Sequence, residues 1–311
     1  MFKAGYVSVV GKPNAGKSTL INKIVGYKVA ITAPKPQTTR FNVKGIATSE
    51  TSQIVFLDTP GIHNPKNKMG EYMMNGVSNA VKGTNTIVYL LDATKPRIDD
   101  VTIKIIEDIA KINLKSKKKV IMCINKIDKI EKSKLLEIIA NYSNLAKEKG
   151  LEFCDIIPIS VFKNDGLDTL ILSIENTLDE SEMLFDEDEI TDITEREIVS
   201  ENIREILLKN YEEEIPHGVN AEVESFKERT NVNGDLTYDI NVAIICQRKA
   251  HKPIIIGEGG KKIRHITNLS KRELERVLDV KVNLKIYVKV KEDWLNNEAF
   301  LKEIKFRNEQ K

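Results

Sequence analysis

No run of about 18 apolar residues occurs in the 311-residue sequence, so no segment reads as crossing a membrane. Met1-Phe2-Lys3-Ala4-Gly5 leads at once into an apolar run, and no signal peptide is expected there. Cysteine is scarce. Cys123, Cys154 and Cys246 form no C-x-x-C pair, and their number is odd. That excludes a disulfide framework, and all three are expected to be buried free thiols in a reducing cytoplasm. His63, His217, His251 and His265 are scattered without metal-ligand spacing, so no zinc site is expected. Net charge is small, +2, but the signs are separated. From Asp179 to Glu201 there are eleven acidic residues against Arg196 alone. From Cys246 to Lys311 there are seventeen Lys and Arg against nine Asp and Glu, a net +8. The asymmetry reads as an acidic connection leading to a basic C-terminal domain, suited to nucleic acid or anionic lipid. A hydrophobic content of 41% and this length suit two domains with proper cores.

What the sequence does have is organised around Gly11-Lys12-Pro13-Asn14-Ala15-Gly16-Lys17-Ser18, a match to the phosphate-loop pattern G-x-x-x-x-G-K-[ST]. Tyr6 to Val10 before it reads as a buried strand. Ser18 to Val25 after it, starting Ser18-Thr19-Leu20, reads as an amphipathic helix ending near Gly26. Strand, glycine loop and helix are the arrangement in which successive backbone N–H groups converge on phosphate oxygens. Lys17 then reaches the β- and γ-phosphates, and the Ser18 hydroxyl ligates Mg²⁺.

Strands and helices alternate through the first half. Val43–Thr48 and Gln53–Leu57 read as a hairpin, and Thr86–Leu91, Lys119–Ile124 and Asp155–Ile159 as buried strands. Helical patterns lie between them, which predicts a mostly parallel sheet covered on both faces. Ligands of such sheets sit at the carboxyl ends of strands. Asp58-Thr59-Pro60-Gly61 follows one strand: its carboxylate suits Mg²⁺, and the Gly61 N–H suits a γ-phosphate. Asn125-Lys126-Ile127-Asp128 follows another, and its carboxylate can accept from both N1–H and N2–H of guanine, a pairing adenine cannot offer. Ser160 and Val161, after the last strand, would close the base pocket. Two stretches without periodicity, Ile31 to Phe41 and His63 to Lys68, read as switch loops ordered by a γ-phosphate.

Asp179 to Asp192 is acidic and poor in apolar residues and reads as a linker. Ile193–Tyr211 is a predicted helix with a Thr194/Glu197 capping box. Strands are predicted at Val219–Phe226, Leu236–Ile245 and Val282–Val290, with helices at Lys261–Leu278 and Asp293–Phe306. Gly257-Glu258-Gly259-Gly260 precedes the helix that carries Lys261, Lys262 and Arg264. It resembles the G-x-x-G loop of a KH domain, which clamps nucleotide phosphates at a helix N-terminus.

These residues resemble translational GTPases of the Ras-like superclass. Asn14, Thr38-Thr39-Arg40 and Asp58-Thr59-Pro60-Gly61-Ile62-His63 narrow the resemblance to the Era family, over essentially the whole chain. Glu214-Ile215-Pro216-His217 belongs to the same pattern. The resemblance implies an α/β P-loop GTPase domain over 1–178, a linker over 179–193 and an α+β type II KH domain over 194–311. It implies that Thr39 completes the Mg²⁺ shell. It also implies that catalysis rests on Lys17, Asn14 and Thr39, because Ile62 stands where other GTPases place a water-orienting glutamine. Asn14 is implied to ligate K⁺ near the phosphates. The implied activity is slow hydrolysis of GTP to GDP by a cytoplasmic monomer. The implied RNA is the 3′ region of 16S ribosomal RNA, bound during 30S subunit assembly. Val161 departs from the family's alanine, and Glu258 from its basic or polar loop residue. Other readings are an RNA-binding protein with a vestigial nucleotide site, a tRNA-modification GTPase, and a membrane-associated signalling G protein with peripheral inner-membrane contact.

Overall fold

The computed structural model describes residues 1–230 and 234–309. The chain divides into two compact units, the first built from Met1–Lys66 and Gly70–Asp192 and the second from Asn67–Met69 and Ile193 onward.

In the first unit the order is β1 (Lys3–Val10), α1 (Lys17–Val25), β2 (Val43–Thr48), β3 (Ser52–Asp58), α2 (Lys68–Gly83) and β4 (Thr86–Asp92). It continues with α3 (Asp100–Ser116), β5 (Lys119–Asn125), α4 (Lys132–Glu148), β6 (Asp155–Pro158), α5 (Leu167–Thr177) and β7 (Asp179–Glu180). The strands lie in the order β2-β3-β1-β4-β5-β6, parallel except for the β2–β3 hairpin. Runs such as Thr86–Asp92 are buried along their whole length because helices cover both sheet faces. Leu20 and Ile21 of α1 pack with Leu170 and Ile174 of α5 on one face. Val77 and Val81 of α2, Ile105 and Ile109 of α3, and Tyr142 of α4 pack on the other. The parallel strands all point their carboxyl ends the same way, so the loops after β1, β3, β5 and β6 gather on one edge.

The acidic stretch is not a free linker. β4 pairs with β1 only from Val7 onward, and β7 takes the open start of β1 in antiparallel register. The chain then runs along the β2–β3 hairpin. The buried Gln53 side chain accepts from the Leu184 and Phe185 N–H groups at 2.8 and 3.0 Å and donates to the Phe185 carbonyl at 3.0 Å. The Ile46 N–H donates to the Ile190 carbonyl at 2.8 Å. Lys44 pairs with Asp192 at 2.6 Å and lies over the Phe185 ring. The strap covers the outer edge of β2, which would otherwise present unpaired backbone groups. Composition missed it because backbone and one buried amide make the attachment.

The second unit has α6 (Glu195–Asn210), β8 (Val219–Thr230), β9 (Leu236–Cys246), α7 (His251–Ile256), α8 (Lys261–Leu278), β10 (Lys281–Val290) and α9 (Glu298–Glu309). The Thr194/Glu197 capping box is formed. β9 lies between β8, antiparallel, and β10, parallel. Val199, Ile203 and Leu207 of α6 and Ile266 and Leu274 of α8 build the core against this sheet. Trp294 is fully buried and donates its indole N–H to the Gly218 carbonyl at 3.0 Å.

Cys123, Cys154 and Cys246 are free thiols, but Cys154 is exposed rather than buried, because it precedes β6 in a loop. Among the described residues no helix is long and apolar enough to cross a membrane.

Candidate functional site

The loop Gly11–Gly16 closes around Lys17. The Lys17 ammonium donates to the Gly11 and Lys12 carbonyls at 3.2 and 3.1 Å. Burial lowers its pKa to about 8, against the pull of the Asp58 carboxylate. Gly16 has φ of 103°, and a Cβ there would collide with the Asn125 amide, so glycine is required on both counts. Lys12 reaches outward to pair with Asp99 at 2.8 Å, Pro13 is half-buried, and Thr19 is exposed on α1.

Three oxygens converge beside Lys17. The Ser18 hydroxyl donates to Asp58 Oδ2 at 2.7 Å, Thr39 Oγ1 donates to the same oxygen at 3.0 Å, and the two hydroxyl oxygens are 3.0 Å apart. Asp58 is fully buried, and burial pushes its carboxyl up, opposed by Lys17 and the two hydroxyls. Its Oδ1 is buried without a hydrogen-bond partner. One buried carboxylate and two hydroxyls, with one carboxylate oxygen unpartnered, fit a hard oxygen-seeking cation. Thr59 is buried and fixed by its hydroxyl to the Val9 carbonyl at 2.7 Å. After Pro60, the Gly61 backbone approaches Pro13 so closely that a Cβ would sit 2.8 Å from it. The Ile62 N–H donates to the Gly11 carbonyl at 3.1 Å, and its side chain packs against the α2–α3 core.

The second cluster is built on Asn125. Its amide donates to the Ala15 carbonyl at 2.9 Å and accepts from the Lys126 and Val161 N–H groups at 2.8 and 3.2 Å. One side chain thus ties the phosphate loop to both base-pocket loops. Lys126, at φ 66°, donates to the Asn14 carbonyl at 2.9 Å and to Asp92 Oδ2 at 2.5 Å. Ile127 opens a single 3₁₀ turn that carries Asp128, to which the Ser160 hydroxyl donates at 2.5 Å. Asn14, at φ 63°, donates its amide to the Pro34 carbonyl at 3.0 Å.

Asp92 is the residue that sequence reasoning missed. Burial alone would raise its pKa, but hydrogen bonds from Lys126 and Thr94 leave it lowered. An acid at the carboxyl end of a strand, on the same edge as the other motifs, was the available signal.

In the second unit, Gly257, Gly259 and Gly260 have φ of 72°, 56° and 75°, and Gly260 caps α8. A Cβ on Gly257 would meet the Lys262 side chain at 2.7 Å. Glu258 and Lys261 are exposed. Lys262 lies 5.7 Å over the Tyr211 ring, and Arg264 folds back to donate to the Gly259 carbonyl at 2.6 Å. The loop is therefore pre-formed, with Lys261, Lys262 and Arg264 all exposed beside it.

Comparison with known proteins matches both units. The family described as "50S ribosome-binding GTPase" matches residues 6–126, and the family described as "KH domain" matches residues 214–295. The chain is 44% identical to "GTPase Era" of Ruminiclostridium cellulolyticum, covering 98% of each chain. It is 43% identical to that of Clostridioides difficile, covering 97% of each. A solved Era bound to MgGDPNP and nucleotides 1506–1542 of 16S ribosomal RNA superposes with a TM-score of 0.90 at 36% identity, covering 97% of this chain and 98% of that one. An Aquifex aeolicus Era variant bound to GDP and AlF4⁻ gives 0.89 at 36% identity over the same shares. The likeness runs over nearly the full length of these relatives, and the chain belongs to the Era family of GTPases.

Proposed function

We propose that this GTPase binds GTP on the edge formed by the loops after β1, β3, β5 and β6. It hydrolyses GTP slowly, and it binds the 3′ region of 16S ribosomal RNA through its second unit during 30S subunit assembly and maturation. The observation that carries the nucleotide reading is the meeting of Ser18, Thr39 and Asp58 within 3.0 Å beside a buried lysine.

Ser18, Thr39 and Asp58 would hold Mg²⁺, which when bound supplies positive charge at the phosphate oxygens. Lys17 adds a second cation there, and the Gly61 N–H adds a donor. Asp128 reads the guanine edge, with Ser160 holding one of its oxygens. Ile62 has no group to orient a water, so its side chain leaves that task to others. Asn14 faces the Pro34 carbonyl. With its amide turned, the Asn14 oxygen and that carbonyl would be two neutral donors suited to K⁺, whose charge would lie near the phosphates.

The RNA reading rests on the pre-formed Gly257–Gly260 loop in a chain alignable over 97% of its length with an Era that holds such RNA. The GTPase-domain family carries a 50S description. The small-subunit assignment is preferred because the solved Era that superposes over 97% of this chain holds 16S ribosomal RNA. Two assays test the reading. Mg²⁺-dependent GTP turnover should be lost in Lys17→Ala. An RNA with the 3′ terminal sequence of 16S ribosomal RNA should bind more tightly than a shuffled RNA of equal length. Equal binding of the two RNAs would refute the RNA assignment.

A further inference from the structure

The structure assigns to Gln37 and His63 a clasp that joins the two switch loops and holds them closed around the nucleotide. This inference rests on the reading of Ser18, Thr39 and Asp58 as the metal–nucleotide site.

The chemistry of the contact fixes its direction. His63 Nδ1 lies 2.8 Å from the Gly61 carbonyl oxygen, which can only accept, so Nδ1 carries the proton. His63 Nε2 is then a lone-pair acceptor, and it lies 3.2 Å from the Gln37 amide nitrogen, which can only donate. One neutral tautomer satisfies both bonds at once.

The backbone on each side is arranged for the contact. Gln37 has φ of 60°, a conformation non-glycine residues adopt at some cost. It is held there by the next residue, whose Thr38 hydroxyl donates to the Lys35 carbonyl at 2.7 Å. Thr39, two positions on, meets Ser18 and Asp58. On the other loop, the imidazole grips the carbonyl of Gly61, whose backbone already presses on Pro13, and the neighbouring Ile62 N–H is tied to Gly11. The clasp therefore links the loop that delivers Thr39 to the loop that delivers the Gly61 N–H. His63 also lines a cavity of about 340 Å³ whose wall includes Met74 and Val77 of α2 and Ile105 and Ile109 of α3.

Gln37 and His63 are positioning residues. They act through Thr39 and Gly61, which on the proposed reading meet Mg²⁺ and the γ-phosphate. Losing the clasp should therefore weaken GTP-form binding and leave GDP binding alone.

Two conservative variants test this in the full chain. Gln37→Asn keeps an amide that tolerates positive φ but falls one methylene short. His63→Phe keeps a flat ring in the apolar wall and removes both nitrogens. With Mg²⁺ present, each should bind fluorescent GDPNP about five- to tenfold more weakly than the wild type, the loss of the hydrogen bond that joins the two loops. GDP affinity should be unchanged, which also reports that each variant folds. The double variant should lose no more than the weaker single one, because either substitution breaks the same link. GDPNP affinity equal to wild type in both single variants would overturn the clasp. So would equal losses for GDP and GDPNP, or a double-variant loss equal to the product of the single losses. Failure of the underlying site reading would look different: wild-type protein would then bind neither nucleotide.

Discussion

The Ser160 hydroxyl donates to the Asp128 carboxylate at 2.5 Å, across two loops that follow different strands. That bond holds one carboxylate oxygen and so orients the carboxylate that is proposed to read guanine. Asp128→Asn keeps the shape but replaces an acceptor by a donor, which suits the 2-oxo group of xanthine. GTP affinity should fall by about a hundredfold, two charge-assisted hydrogen bonds being lost, and XTP should become the better ligand. Competition binding with fluorescent nucleotides measures this.

Lys17 gives a pH dependence with a definite sign. In the nucleotide-free protein its pKa is lowered to about 8 by burial. Phosphate favours the charged form, so binding above that pH must take up a proton. In Mg²⁺-free buffer, GDP affinity should be flat from pH 6 to 7.5 as far as Lys17 sets it. It should fall between pH 8 and 9, approaching tenfold per unit. Calorimetry in buffers of different ionisation enthalpy would show proton uptake at pH 8.5 and none at pH 6.5.

Asn14 leads to a cation prediction. GTP hydrolysis should run faster in K⁺ than in Na⁺ at equal ionic strength, and Asn14→Ala should remove the difference. Steady-state phosphate release in the two salts decides it, and equal wild-type rates would end the K⁺ reading.

Gln53 carries a stability prediction. It is buried and makes three hydrogen bonds to the strap at Leu184 and Phe185. Gln53→Leu leaves those backbone groups unpaired and should destabilise the first unit by roughly 2–3 kcal/mol. Limited proteolysis should then cut between Glu182 and Asp192 well before the wild type is cut.

The site was largely legible in the sequence because each motif must follow a strand to work. Lys17, Asp58 and Asp128 carry chemistry that packing alone does not need, and a parallel sheet has one edge on which to gather them. The capping box at Thr194 was equally readable, since both partners lie within one turn. What escaped were contacts between residues distant in sequence. Asp92 holds Lys126 across 34 positions, and Gln53 holds Phe185 across 132. Neither pair leaves a local pattern. The acidic composition of Asp179 to Asp192 pointed to a linker and gave no sign of the backbone hydrogen bonds to β1 and β2 that hold it. Cys154 was expected to be buried beside an apolar run, but the strand starts one residue later.

Gly260→Asp tests the central claim most directly, because it touches the second unit alone. The change puts a side chain and a negative charge at φ 75°, at the N-terminus of α8. In one set of samples at fixed salt, filter binding would measure affinity for the 3′ terminal RNA of the 16S ribosomal RNA. Fluorescent nucleotide would measure affinity for GTP. The account predicts that RNA affinity falls by more than the roughly tenfold expected for one lost charged contact, while GTP affinity matches the wild type. Wild-type RNA affinity in Gly260→Asp would contradict it.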